Sequence, residues 1–301
     1  LRERVSEAEW QVRVDLAAAY RLIARNGWDD GIFTHNSSRV PGHNNQFLIN
    51  AFGLMFHEIT ASNLVKVDFD GNIVDGDRDN DIIDAGYVIH SAVHQARDDV
   101  RAVMHTHTTA GMAVSAQTGG LLPITQKAMR FYDRLAYHDY EGIADNLDER
   151  QRLVTDLGSR RSMILSNHGL LTTGCSVAEA FSELRYLEHA CQAQIAAQAG
   201  GGELVVPPPE VCEHAARQFD LSGANQRIIL AADADSGAIV SRSQVAAEMN
   251  GQSIALLGQV ERSTERVTRT NRPYVIASLA LLDGEIDVFI WEDRLVETRD
   301  L

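Results

Sequence analysis

Cysteine is scarce. The 301 residues hold three, Cys175, Cys191 and Cys212, an odd number with no Cys-x-x-Cys spacing. That excludes a disulfide framework or a zinc knuckle and fits reduced thiols in a cytoplasmic setting. Positive charge is also short: 27 Lys and Arg stand against 42 Asp and Glu, a formal net charge of -15. Such a balance speaks against broad binding to a phosphate backbone. No run approaches the ~18–20 apolar residues of a membrane span. The charged start Leu1-Arg-Glu-Arg-Val5 lacks the apolar core of a secretory signal. With 45% hydrophobic and 23% charged residues, the expectation is a soluble cytoplasmic chain of one large or two ordinary domains. The missing initial Met suggests numbering that starts inside a longer gene product.

Apolar residues recur at helical spacing over residues 7–26 (Trp10, Val14, Leu16, Tyr20, Leu22, Ile23), and Asn26-Gly27 stops that helix. Short β-like runs follow at Gly31–Thr34, Gln46–Asn50 and Leu64–Phe69, the last closed by an Asp70-Gly71-Asn72 turn. Helices are expected at 84–97, 147–157 and 176–199, and strands at 100–107 and 162–166. Gly200-Gly-Gly202 ends the long helix and Pro207-Pro-Pro209 opens a loop. This alternation describes an α/β domain. Beyond about residue 220 the pattern turns β-rich, with runs at 253–258, 274–279 and 285–291. A boundary is therefore expected near 218–235, between a domain at 1–220 and a β-rich module at 236–301.

The chemistry concentrates in three histidines. His105 and His107 are one residue apart at the end of the apolar run Val100–Met104. On a strand, residues i and i+2 project from one face, so both imidazoles can reach one point. His168, in Asn167-His-Gly-Leu170, would complete a three-nitrogen face with an open fourth position, as a catalytic divalent metal requires. His-x-His pairs also occur as ordinary hydrogen-bonded strand residues, and the pair alone leaves both readings open.

Several motifs, in order, resemble the class II aldolase/adducin family: Phe33-Thr-His-Asn-Ser-Ser-Arg39, Asn50-Ala-Phe-Gly-Leu54, Ile59-Thr-Ala-Ser-Asn-Leu-Val-Lys-Val-Asp68, Val103-Met-His-Thr-His107 and Asn167-His-Gly-Leu170. The resemblance implies a three-layer α/β/α domain around an antiparallel-rich sheet. It also implies a homotetramer with sites between subunits, and a divalent metal, zinc above all, on His105, His107 and His168. His35, Asn36 and Arg39 match the family's substrate-binding turn. His35 stands where phosphate-binding members carry glycine, so a carboxylated, non-phosphorylated substrate fits equally well. The family's proton-shuttling carboxylate falls at Gly86. Asp84, His90 or His94 could substitute for it, because proton abstraction beside a carbonyl needs a positioned base. The surrounding Asp84–His94 segment looks like the adducin branch, and helix packing explains His90 and His94 equally well. Family logic also asks for a proton-donating tyrosine near Gln126, with Tyr132 and Tyr137 as candidates.

The tail resembles part of the OB-fold of bacterial replicative DNA polymerase alpha chains. Only three strands are evident where a barrel needs five. Its hydroxyl-rich basic stretch Arg262–Arg272, with Tyr274 and Trp291, could meet single strands, although interleaved acids make solubility the simpler reason. The expected function is a metal-dependent carbon–carbon lyase, aldolase or decarboxylase in type, for a small hydroxy- or keto-acid or a sugar-derived substrate. The alternatives are a non-catalytic adducin-like scaffold and a nucleic-acid-associated protein acting through the tail.

Overall fold

The computed structural model describes residues 1–75, 84–142 and 149–222, and the backbone of strands at 239–240, 255–256, 258–267, 273–281 and 284–291. It separates into two units, Leu1–Gln226 and Arg227–Leu301.

The first unit is built on an eight-stranded sheet. Helix α1 (Glu7–Arg25) starts where Ser6 accepts from the Glu9 N–H at 3.1 Å, satisfying one of the unpaired donors of a helix start. Its apolar face buries Leu16, Tyr20 and Ile23. The chain leaves at Gly27, whose φ of 66° only glycine adopts at little cost. Glu9, Arg13 and Lys66 tie α1 to the sheet as a buried charge triad: Glu9 lies 3.0 Å from Arg13 and 2.8 Å from Lys66.

Strands β1 (Asn36–Arg39), β2 (Gln46–Ile49), β3 (Val65–Asp68) and β4 (Ile73–Asp75) form one antiparallel edge. After α2 (Asp84–Ala96), strand β5 (Ala102–Thr106) inserts antiparallel beside β1. Helices α3 (Thr109–Ser115) and α4 (Gln126–Met129) lead to β6 (Leu135–His138). Helix α5 (Glu149–Leu157) then connects β6 to its parallel neighbour β7 (Ser162–Leu165). Strand β8 (Gly169–Gly174) returns between β7 and β5, giving the order β4-β3-β2-β1-β5-β8-β7-β6. Helices α6 (Val177–Ala199) and α7 (Pro209–Ser222) complete the unit.

Strand alternation splits the core between the two faces of the sheet. Val103, Met163, Leu165 and Leu171 pack with Ile89 and Val93 of α2 and Leu153 and Leu157 of α5. On the other face, Thr172 donates to the Ala180 carbonyl of α6 at 3.0 Å. Helices thus cover both faces. No helix among the described residues is long and apolar enough to cross a membrane.

Two local expectations are corrected. Gly31–Thr34 is a turn rather than a strand, with Gly31 at φ 57°. Pro207 and Pro208 lie in a loop as expected, but Pro209 starts helix α7, because proline at the first helical position forfeits only an N–H that would be unpaired anyway.

The second unit holds a parallel pair, β9 (Ile239–Val240) with β10 (Ala255–Leu256), and an antiparallel meander of β11 (Gly258–Val267), β12 (Pro273–Leu281) and β13 (Gly284–Trp291). Residues Arg262–Val267 of the expected strand-binding stretch belong to β11, and 268–272 lie outside the described residues. Tyr274 and Trp291 are directly paired across β12 and β13.

Candidate metal centre

His105 and His107 leave the C-terminal end of β5, and His168 sits at the tip of the β7–β8 hairpin beside it. That tip is three residues, Ser166 to His168, between the paired Leu165 and Gly169. Asn167 takes the left-handed conformation there, φ 55°, which asparagine tolerates better than most side chains. Gly169 lets the hairpin close on β5: a Cβ at that position would meet the Thr106 carbonyl oxygen at 2.4 Å.

The hairpin brings three Nε2 atoms together. His107 Nε2 is 2.9 Å from His105 Nε2 and 2.9 Å from His168 Nε2. His105 Nδ1 lies 2.9 Å from the Leu170 carbonyl, which can only accept, so this nitrogen carries the hydrogen. His107 Nδ1 faces the Asp30 carboxylate at 3.0 Å. Burial holds the His105 imidazole well below its usual range and lowers His168 to about 4, with neighbouring imidazoles adding to both effects. The Leu170 carbonyl and the Asp30 carboxylate both accept, so they draw the ring hydrogens of His105 and His107 to Nδ1, and the Nε2 lone pairs of the neutral rings face each other. One cation with nitrogen bonds of about 2.0–2.1 Å resolves that repulsion. The donor set fits a divalent metal, and among the described residues it is the one His, Cys, Asp and Glu cluster that could hold an ion. The Asp30 and Leu170 contacts fix the ligand rings in the way outer partners of metal sites do.

The other expected site residues divide. His35 joins the centre: its ring centroid lies 5.3 Å from that of His105, and its ring is almost wholly buried. His90 stands behind His35, with Nε2 2.8 Å from His35 Nδ1, and reaches the trio only through it. Asn36 lies on β1 opposite Met104. Its buried side-chain amide has no hydrogen-bond partner, and neither do the hydroxyls of Thr34 and Thr106.

Arg39 is not brought to the trio. It lies at the far end of β1, where its guanidinium donates to the carbonyls of Val100, Asn44 and His94. Burial raises the Tyr132 phenol, and Asp133 with the α7 residues Cys212, Glu213 and Glu210 adds to the effect. The Tyr137 hydroxyl accepts from the Leu121 N–H at 3.0 Å. Asp84 opens α2, but its side chain, like those of the next two residues, lies outside the described residues. Two neighbours of the trio went unforeseen. Asp30 follows Trp28-Asp29 in a turn and carries no signal in sequence. Tyr140, 54% exposed and with its ring 6.5 Å from His168, lies two residues past β6, where the alternation from His138 could have placed it.

Comparison with known proteins matches residues 14–195 to the class II aldolase and adducin N-terminal domain. An aldolase II superfamily protein from Pseudomonas syringae has 61% identity and a TM-score of 0.71, the match covering 72% of this chain and 88% of that one. L-fuculose 1-phosphate aldolase from Glaciozyma antarctica has 30% identity and a TM-score of 0.64, covering 70% and 82%. Mouse alpha-adducin is 44% identical over 204 residues, 66% of this chain but 28% of the adducin.

Proposed function

From the premise that the chain belongs to the class II aldolase and adducin family, we propose that its first unit is a metal-dependent carbon–carbon lyase. The substrate class is a small hydroxy- or keto-acid or a related sugar-derived compound. The observation that carries this reading is the convergence of three imidazole Nε2 atoms, from His105, His107 and His168, on one point. His105, His107 and His168 would hold the ion, with zinc the best fit to an all-imidazole set. When bound, it supplies Lewis acidity toward a substrate carbonyl or enediolate oxygen.

The chain's own groups supply the rest. His35 lies against the ligand rings and contacts the substrate oxygen side, and Asn36 shapes the adjoining wall. Tyr140, exposed beside His168, is a better placed proton donor than Tyr132. Phe33, 62% exposed and two residues before His35 in the chain, joins Tyr140 as an uncovered aromatic. Both favour closure by a second copy, as in a homotetramer. Free thiols at Cys175, Cys191 and Cys212 suit a cytoplasmic protein.

The test is elemental analysis of purified protein combined with retro-aldol and decarboxylation assays on a panel of hydroxy- and keto-acids. About one ion per subunit, the stoichiometry of a three-histidine site, and its loss in His105→Ala are expected. No metal in the native protein ends the reading.

A second reading is an adducin-like scaffold. It is favoured by Gly86, where a proton-shuttling carboxylate would stand, and by the likeness to mouse alpha-adducin. It predicts bound metal without turnover of any substrate in the panel. The β-rich second unit is proposed as a separate module of OB type. Nucleic-acid binding through it is the weaker idea, since the chain's net charge is -15.

A further inference from the structure

Helices α4 and α6 bring together a lysine, an arginine and a histidine that the proposed lyase chemistry does not use. Lys127 Nζ lies 2.6 Å from His189 Nδ1. Arg185 stands one turn before His189 on α6, so the two share a helix face, and its charge bears on both Lys127 and His189. The His189 ring meets the buried indole of Trp28 edge-on, with centroids 5.9 Å apart. Lys127 is exposed and Arg185 and His189 are half-buried, so all three can be reached from solvent.

The cluster is set apart by its lack of a counter-charge. The next two cations along the chain are both met by carboxylates: Arg130 pairs with Glu183, and Arg134 lies 2.9 Å from Glu213 and 2.9 Å from Asp220. Among the described residues no carboxylate pairs with Lys127, Arg185 or His189, and the charges that act on Lys127 and His189 are those of the cluster itself. Acids are not scarce, since 42 Asp and Glu stand against 27 Lys and Arg. Instead the Lys127 nitrogen faces an imidazole. Desolvation, with Arg185 beside it, holds Lys127 below the usual lysine range. Burial, with Lys127 and Arg185 adding to it, lowers His189 to about 4. Each shift records positive charge held without an answering anion, and a bound anion would relieve both.

The donor types define what fits. Lys127 offers a compact ammonium with three donors, and Arg185 a planar fork that matches two oxygens of one anion. Two full charges and a third basic ring suit an oxyanion of charge near -2 with several acceptor oxygens, whereas a single carboxylate would leave one cation unanswered.

We propose that Lys127, Arg185 and His189 form a binding site for a small dianionic oxyanion of the phosphate or phosphate-monoester class. Helices α4 and α6 carry none of the three trio histidines and none of the residues His35, Asn36 and Arg39, so this site goes beyond the proposed lyase centre and does not rest on it. Trp28, against His189, is placed to report occupancy.

The test uses the full chain, stripped of metal by a chelator that is then removed, so that no ion competes for the anion. Inorganic phosphate is titrated at constant ionic strength and followed by calorimetry and by tryptophan emission. Saturable binding of one phosphate per chain is expected, with a change in emission that is lost in Trp28→Phe while the heat of binding persists. Lys127→Gln and Arg185→Gln should each weaken binding by about tenfold or more, as loss of a charged hydrogen-bond donor does. Arg160→Gln, which removes an exposed cation outside the cluster, should leave it unchanged. Lys127 is exposed, so its variant carries the test alone if Arg185→Gln does not fold. Acetate should bind far more weakly than phosphate. No saturable binding, equal binding in folded Lys127→Gln, an equal loss in Arg160→Gln, or acetate binding as tight as that of phosphate overturns the proposal. Failure of the lyase reading would appear in the elemental analysis and leave this result untouched.

Discussion

His107 Nδ1 and Asp30 Oδ2 lie 3.0 Å apart although 77 positions separate them in the chain. The carboxylate turns the imidazole so that Nε2 faces His105 and His168. Asp30→Asn is therefore expected to weaken metal binding by about 10- to 100-fold, the usual effect of removing an outer partner of a ligating histidine. Competition with a chromogenic chelator reads the affinity. A change below twofold would mean that Asp30 does not orient the ring.

Gly169→Ala should damage the same centre by another route. The added Cβ would lie 2.4 Å from the Thr106 carbonyl and 3.2 Å from His107 Cδ2, and neither the strand nor the ligand ring can yield cheaply. A loss of about 1–3 kcal/mol in stability is expected, typical of overpacking, together with weaker metal binding. Urea unfolding monitored by circular dichroism measures the first. Native-like stability would show that the hairpin has slack.

Glu9 neutralises two buried cations, Arg13 and Lys66. Glu9→Gln leaves Lys66 without its anion and Arg13 with only the Asp75 carboxylate, 3.5 Å away, and should cost about 3–5 kcal/mol, as breaking a buried ionic group does. The unfolding midpoint should drop accordingly. The double variant Glu9→Leu/Lys66→Met should recover part of the loss, and no recovery would argue that the triad acts through packing alone.

Acid should unfold the chain in a defined window. Burial holds His94 at about 3 in the native state, against about 6.5 in an unfolded chain. Between those values the unfolded state binds a proton that the native state does not. Stability from this group is thus fully present above pH 6.5 and drains away as pH falls toward 3, at up to about 1.4 kcal/mol per pH unit. His35 and His90, lowered in the same direction, steepen the decline. Urea midpoints measured from pH 7 to pH 4 should fall continuously, and less steeply in His94→Leu. A flat profile contradicts the burial of these imidazoles.

Much of the first unit was legible because its signals are local. The spacing of Trp10, Val14 and Ile23 and the Asn26-Gly27 stop mark α1, and the apolar run before His105 marks β5. The histidine trio was legible because His105 and His107 share a strand face. Other features depend on tertiary context, which a linear pattern does not carry. Arg39 reads as an anion clamp by residue type, yet the register of β1 against β5 carries it to the end of the strand away from His105, where backbone carbonyls occupy it. Asp30 sits in a turn with no periodicity. Pro209 reads as a helix breaker and is a helix start, because the cost of proline depends on which N–H goes unpaired. The i,i+4 spacing of His90 and His94 was visible, but the serine that joins them, Ser37, lies on β1, more than fifty residues earlier.

All three imidazoles of the candidate metal centre come from one strand and the hairpin hydrogen-bonded to it, β5 with β7–β8. No remote segment has to be recruited when an ion arrives, since the entropy of assembling the ligands is already spent when the sheet forms. The apo chain should therefore be a folded protein that loads and releases its ion reversibly, unlike small domains that collapse only around zinc. Metal availability would then govern how many chains are active, and the number of folded chains would stay the same.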